Sequence, residues 1–196
     1  MKSIKILTII CLSILSSTIS AQQYAIDKKA TIILGSGSFI SQGGDLFEDM
    51  DGNKATAFTF TPSINHFITK NLYIGGSLEF TTESQGDYSF NGVGIGPGIG
   101  YAVGGPQSQV FPYLELGMLY YKMNADYGTG DDSQFSGSDI YLGFGVIVPI
   151  KDHIGLIFGS AYHMMDLKDK DFDDNYSGNI FSIAVGIAGL IFQNAD

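Results

Sequence analysis

The sequence predicts an all-β protein, an eight-stranded antiparallel up-and-down transmembrane β-barrel. Three observations lead to this prediction. Eight stretches alternate bulky apolar residues with small or polar residues, which gives each strand one face of each kind. The chain has 26 glycines but only 15% charged residues, a composition typical of a membrane wall built from strands. The connections between the stretches alternate between long and short, as expected for an up-and-down barrel.

The first 21 residues have the pattern of a secretory signal peptide. Lys2 and Lys5 precede an apolar core of about ten residues, and small residues then lead to a cleavage point after Ala21. Residues 22–196 would then form a single barrel domain. The only cysteine, Cys11, lies in the removed segment, so the barrel is expected to contain no thiol and no disulfide.

The first four strands are predicted at residues 30–41, 55–65, 72–83 and 90–103. The first is the weakest, because apolar residues occupy both of its faces. The second and third place mainly phenylalanine, leucine and isoleucine outward and threonine, serine and glycine inward. The inward face of the fourth is a row of small residues, Gly94, Gly96, Gly98 and Gly100. Small inward residues suit an eight-stranded barrel, whose interior volume is scarce.

The last four strands are predicted at residues 110–124, 139–150, 154–166 and 177–192. The sixth and seventh form the clearest hairpin, joined by the short polar connection 151–153. Each arm is long enough for a tilted strand to cross the hydrocarbon core of a bilayer. Pro62 and Pro97 fall inside strands and lack the N–H that a ladder needs, so bulges or register shifts are expected there.

Two stretches, HFITKNLYIGGSLEF at 66–80 and VPIKDHIGLIFGSAYH at 148–163, each lead from a short polar turn into a rising strand. In these features the chain resembles the small bacterial outer-membrane β-barrel proteins, the porin family of OmpX-, OmpA-barrel- and OmpW-like proteins, over residues 22–192. The resemblance implies a Gram-negative outer membrane, contact with its lipid, and insertion by the barrel-assembly machinery. That machinery reads a terminal aromatic residue, for which Phe192 is the candidate.

The connections after the odd strands are predicted to be long and acidic, at residues 42–54, 84–89, 125–138 and 167–176. Those after the even strands are predicted to be shorter, at residues 66–71, 104–109 and 151–153. We therefore expect four acidic extracellular loops and two periplasmic termini. The loop acids are Asp45, Glu48, Asp49, Asp51, Asp169, Asp171, Asp173 and Asp174. Part of this set has the spacing of a calcium loop but lacks its glycine and its glutamate, so no metal site is predicted.

A polar cluster is predicted inside the barrel. By parity, Glu79 and Glu115 point inward on the third and fifth strands, and the chain has no arginine to pair with them. Their expected partners are Tyr73, Tyr121, Thr59, Thr61, His163 or water. Two close carboxylates can share a proton. We expect a cluster that holds the barrel core, with a proton or cation path as the alternative.

Several function classes are excluded or disfavoured. A net charge of −10 without arginine strongly disfavours nucleic-acid binding. The GxGxGxG run is not a dinucleotide-binding motif, because it lies in a predicted strand with no helix after it. A histidine-dependent lipid hydrolase needs a serine beside His163, but Ser160 has the opposite parity and the same-face neighbour is Met165. We therefore predict no enzyme. A lipocalin-type soluble barrel would place its apolar residues inside instead.

The predicted function is a structural or surface-interaction role through the acidic extracellular loops. The alternative is a narrow porin or a conduit for small solutes or small apolar molecules, because many inward residues are glycine although eight strands enclose little space. The extracellular partner cannot be identified from loop composition.

Overall fold

The computed structural model describes residues 26–42, 51–105, 108–128, 132–151, 153–172 and 174–191. They form a closed barrel of eight antiparallel strands in chain order, as predicted. The strands are β1 Thr31–Gln42, β2 Ala55–Phe67, β3 Leu72–Gln85, β4 Tyr88–Ala102, β5 Phe111–Asp126, β6 Asp132–Lys151, β7 Ile154–Asp169 and β8 Asn175–Ile191. No helix in these ranges is long and apolar enough to cross a membrane.

The outward faces of the strands form a continuous apolar belt. Phe58, Leu116 and Ile187, on three different strands, are 47%, 51% and 63% exposed. The alternate positions of the same strands point inward and carry mainly small and polar residues, as the alternation predicted. Such an extensive exposed apolar surface is expected where the surrounding medium is lipid rather than water.

The two ends of the barrel differ. The upper end is defined as the one with the connections after β1, β3, β5 and β7, and the lower end as the one where β1 begins and β8 ends. At the upper end β5, β6 and β7 stay paired beyond the apolar belt. Their outward residues there are polar and exposed: Lys122, Asn124, Gln134, Asp166 and Lys168.

The predicted alternation of long and short connections is wrong in detail. The predicted loop 84–89 is a tight hairpin in which Gln85 pairs with Tyr88. Its turn contains Gly86, whose φ of +59° favours glycine. Most of the predicted loop 125–138 is strand, because β6 begins at Asp132. Backbone pairing does not require apolar outward residues, so the strands continue into polar sequence and the loops shrink.

The expectation of register shifts at Pro62 and Pro97 is also wrong. Pro62 pairs regularly with β1, and the β2–β3 ladder lapses beside it and resumes in the same register. Pro97 pairs with β3, and the β4–β5 ladder lapses in the same way. The missing N–H therefore interrupts pairing on one side only. A register shift does occur between Pro149 and Lys151, at the lower end of β6.

The lower end is filled by buried apolar side chains, here named the lower plug. Its members are Ile26, Ala30, Ile32, Phe67, Tyr73, Ala102, Phe111, Ile147, Ile157, Ala188 and Leu190. Phe67 and Phe111 are 0% and 2% exposed. The segment before β1 contributes Ile26, whose carbonyl accepts the N–H of Asn71 and so is tied to the β2–β3 turn. The barrel is therefore densely packed at this end.

Several predicted features lie outside the described residues. These are the signal peptide at 1–21, Phe192, and the loop acids Asp45, Glu48, Asp49 and Asp173. They remain predictions.

Candidate functional site

The interior above the lower plug contains two separate carboxylate clamps. Glu79, on β3, accepts hydrogen bonds from the Tyr121 hydroxyl and, at 3.3 Å, from the Thr61 hydroxyl. Tyr121 lies on β5 and reaches Glu79 across β4. The crossing depends on Gly94, since a Cβ there would lie 2.8 Å from the Tyr121 ring.

The second clamp holds Glu115, on β5. The Tyr73 hydroxyl donates to Oε2 at 2.7 Å, and the Tyr141 hydroxyl donates to Oε1 at 2.6 Å. Added Cβ atoms at Gly100 and Gly117 would meet the rings of Tyr73 and Tyr141, respectively. The glycines of the inward face therefore make room for phenol rings, which take the place of basic residues as partners of the glutamates.

The structure brings most of the predicted interior residues into these contacts. Thr59 is linked to the Thr81 hydroxyl at 3.3 Å rather than to a glutamate. Tyr141 was not predicted as a carboxylate partner, although its inward parity was visible. Each glutamate has its own two hydroxyl donors, so the arrangement does not require a shared proton.

His163, on β7, belongs to a third polar group. Its Nδ1 lies 2.7 Å from Asp139 Oδ2, and its Nε2 lies 3.3 Å from Ser182 Oγ. The Tyr141 ring lies beside the imidazole, with the ring centroids 5.6 Å apart. The expectation that His163 has no serine within reach is wrong. The serine comes from β8, the neighbouring strand, and parity along β7 alone does not reveal it.

Asp139 is the most deeply buried acid of this interior, at 0% exposure. One of its oxygens faces His163, and the other, Oδ1, is buried and has no hydrogen-bond partner among the residues that the structure describes. Burying a carboxylate is unfavourable unless it is paired, so the contact with His163 is energetically important. The sequence signal for this residue was its inward parity at the start of the predicted sixth strand.

A cavity of about 250 Å³ connects the three groups. It lies above the lower plug, with Leu34 and Ile157 near its floor and Glu83 toward the upper end. Glu79, Glu115, His163 and Ser182 all line it. The barrel thus encloses a chamber with both polar and apolar walls.

The acids of the upper end have two different environments. Asp169 is 3% exposed, and its Oδ1 accepts the N–H groups of Asp171 and Phe172 at 2.8 and 3.3 Å. It therefore shapes the β7–β8 turn instead of lying in solvent as predicted. Asp51 and Asp174 are exposed. Within the described ranges, no group of three histidine, cysteine or acidic side chains is arranged to hold a metal ion.

Aromatic rings line one side of the upper mouth, and sequence analysis did not single them out. Tyr88 contacts Phe90 and Tyr127 with centroid distances of 4.8 and 5.4 Å. Phe135 contacts Phe90 and Tyr176 at 6.2 and 5.9 Å. These five residues are named the upper aromatic cluster. They join β4, β6, β8 and the β5–β6 connection.

Comparison with known proteins agrees with this architecture. The family model of the outer membrane protein beta-barrel domain matches residues 9–188. Neisserial surface protein A is similar in structure, with a TM-score of 0.55, 19% identity and coverage of 82% of this chain and 96% of that one. The N-terminal barrel domain of Pseudomonas aeruginosa OprF is similar with a TM-score of 0.52 and 11% identity, and the match covers 84% of this chain and 98% of that one. Ail, the attachment invasion locus protein of Yersinia pestis, is similar with a TM-score of 0.50 and 16% identity, and the match covers 84% of this chain and 99% of that one.

At these identities the structural likeness shows the fold alone. Among curated proteins, none has a significantly similar sequence. The family match spans most of the chain, and it agrees with the closed barrel and its apolar belt. The chain therefore belongs to the outer membrane protein beta-barrel family and is an integral protein of the outer membrane.

Proposed function

We propose that this protein is a non-conducting surface-interaction barrel whose upper end faces outside the cell. The observation that carries the proposal is the paired extension of β5, β6 and β7 above the apolar belt. Residues that stay in a β-ladder are already ordered, so a partner that binds them loses less conformational entropy than one that binds flexible loops.

The chemistry of the upper end indicates what kind of partner it suits. Asp51, Asp126 and Asp174 are exposed there. Tyr127 and Tyr176 of the upper aromatic cluster are also exposed. Carboxylates beside aromatic rings suit a basic surface, since the charges steer the approach and the rings supply contact area.

The lower plug supports a non-conducting barrel over the alternative of a narrow porin. A solute that passed through the barrel would have to displace Phe67 and Phe111, which are almost fully buried. An eight-stranded barrel has little interior volume beyond that filled by its own side chains. The chamber above the plug is therefore a closed-ended pocket in this proposal.

The proposal is tested with the purified protein in lipid vesicles and planar bilayers. We expect no conductance steps, and binding of an oligo-lysine peptide at low salt. Replacing Asp51, Asp126 and Asp174 together by asparagine should weaken peptide binding on the order of tenfold. This loss corresponds to about 0.5 kcal/mol of binding free energy for each exposed charge pair with the peptide. The control is Asp27→Asn, an acid at the lower end. Steady conductance, or equal peptide binding by the triple variant, would contradict the proposal.

Export and insertion complete the proposal. Residues 1–21 direct secretion, and the barrel-assembly machinery recognises the region of Phe192. We therefore expect Phe192→Ala to lower the amount of heat-modifiable barrel in outer-membrane fractions. The control Phe172→Ala, which removes an exposed aromatic side chain, should leave that amount unchanged. Equal amounts of barrel for the two variants would contradict this role of Phe192.

A further inference from the structure

We propose that Asp139, His163 and Ser182 form a catalytic triad that hydrolyses a short-chain acyl ester in the barrel chamber, with Ser182 as the nucleophile. This activity goes beyond the surface role, and it rests on residues that the surface role does not use. Three adjacent strands supply the three groups: β6 carries the acid, β7 the base and β8 the nucleophile.

The order of contacts is that of a nucleophile, a base and an orienting acid. Asp139 lies on the Nδ1 side of the imidazole and Ser182 on the Nε2 side, at 2.7 and 3.3 Å. The acid thereby fixes the ring orientation and the tautomer that leaves Nε2 free to accept the serine proton. A nucleophile-to-base distance slightly above the usual range is common when no substrate is bound.

The surroundings fit a base that works in a pocket. Asp139 is fully buried, and its Oδ1 has no partner within the described ranges. The His163 side chain retains 12% exposure and lines the chamber with Ser182. The Tyr141 ring restrains the imidazole from one side. The acid is therefore shielded from water, while the base and the nucleophile face the space that a substrate would occupy.

The chamber indicates the class of substrate. Apolar side chains share its wall with the polar groups: Leu34, Leu119, Met123, Met165 and Ile180. Its volume of about 250 Å³ is below that of typical drug-sized pockets, which begin near ~300 Å³. A short acyl chain suits such a space better than a long one. The described residues that line the chamber include no lysine or arginine, so they offer no such counter-charge for a phosphate.

Ester hydrolysis by a serine also needs hydrogen-bond donors that stabilise the oxyanion of the transition state. The seam between β1 and β8 can supply them. The described β1–β8 ladder ends at the pair Gly37 and Val185, although β8 continues upward past Ser182. Across the described residues, this upper edge of β8 has no ladder partner on its β1 side. Backbone N–H groups at an unpaired edge can donate to the oxygen that becomes negatively charged in the transition state.

The reaction is balanced with water as the co-reactant. Ser182 Oγ attacks the ester carbonyl carbon and transfers its proton to His163 Nε2. The ester C–O bond breaks, and the alcohol leaves with that proton, which forms an acyl-serine. Water then attacks the acyl carbon and gives a proton to Nε2, and Ser182 regains a proton as the carboxylic acid leaves. No atom changes oxidation state.

The test uses the full-length chain expressed in outer membranes and purified in detergent. The probes are a fluorophosphonate, which phosphonylates activated serines, and p-nitrophenyl butyrate, a short-chain ester. We expect phosphonylation at Ser182 by mass spectrometry, and ester turnover that Ser182→Ala abolishes. The matched control is Ser177→Ala, an exposed serine on the same strand as Ser182 and outside the chamber lining, which should retain turnover.

Asp139 is tested as a positioning residue. Asp139→Asn should slow phosphonylation of Ser182 by at least about 100-fold. Asparagine favours the wrong tautomer of His163, and it does not stabilise the imidazolium that His163 forms when it takes the serine proton. Asp166→Asn changes an exposed acid on the same strand as His163, outside the chamber lining, and should leave the rate within about threefold. Heat modifiability on gels identifies the variants that are folded.

Three results would overturn the proposal. These are folded wild-type protein with no phosphonylation at Ser182, labelling of a different serine in its place, or equal ester turnover by wild type and Ser182→Ala. Ser182→Ala and Ser177→Ala keep the test decisive if Asp139→Asn does not fold. None of these results bears on conductance or on peptide binding, so the surface role and the hydrolytic activity can fail separately.

Discussion

Replacing Tyr141 by phenylalanine removes one of the two hydroxyl groups that hold the Glu115 carboxylate. The lost contact is the 2.6 Å hydrogen bond to Oε1, and the Tyr73 bond to Oε2 remains. A hydrogen bond to a charged group contributes about 1.5–3 kcal/mol, more than one between neutral groups. The ring itself is retained, so packing changes little, and water from the chamber can replace part of the contact. We expect Tyr141→Phe to lower the free energy of unfolding by about 2 kcal/mol.

The assay is reversible urea unfolding of the protein in lipid vesicles, followed by tyrosine fluorescence and gel mobility. The matched control is Tyr162→Phe. Tyr162 is 43% exposed on the lipid-facing side, so loss of its hydroxyl should change the free energy of unfolding by less than about 0.5 kcal/mol. The double variant Tyr73→Phe/Tyr141→Phe should lose more than about 3 kcal/mol, because the half-buried Glu115 carboxylate then has neither hydroxyl donor. Equal stabilities for Tyr141→Phe and Tyr162→Phe would refute the clamp.

Three further outcomes are expected. Gly96→Ala should strongly impair folding, because its Cβ would meet the Met118 backbone carbonyl, whereas Gly178→Ala, with nothing within 4 Å, should fold normally; equal barrel yields would contradict this packing. Phe67→Ala, in the lower plug, should destabilise the barrel by about 3–5 kcal/mol in urea unfolding, and a change below about 1 kcal/mol would show that the plug is loosely packed. Mass spectrometry of the exported protein should find Gln22 at the N-terminus, and an intact Met1 would rule out cleavage.

The fold could be predicted because period-two alternation places side chains on faces without any knowledge of the partner strand. Phe58 and Thr59 are neighbours in sequence, yet one is in the belt and the other in the interior, as parity required. The upper end of β6 could not be predicted in the same way. Its outward residues there, such as Gln134, are polar, so the strand continues where the pattern stops.

The interior contacts show a second limit of parity, which gives the face of a residue but not its height. His163 is level with Ile180 on β8, and Ser182 reaches it on a diagonal set by the register of β7 and β8. Tyr121 reaches Glu79 across β4, over a glycine that leaves the space empty. Such contacts depend on barrel stagger and ring size, and a single sequence specifies neither directly.

Accessibility on intact cells tests most directly the claim that the upper end faces outside. Two single-cysteine variants, Asp126→Cys at the upper end and Asp27→Cys at the lower end, are made in a background with Cys11 replaced by serine, and cells are treated with a membrane-impermeant maleimide. The account predicts labelling of Asp126→Cys on intact cells, and of Asp27→Cys only after the outer membrane is permeabilised. Labelling of Asp27→Cys on intact cells, with Asp126→Cys protected, would contradict the claim.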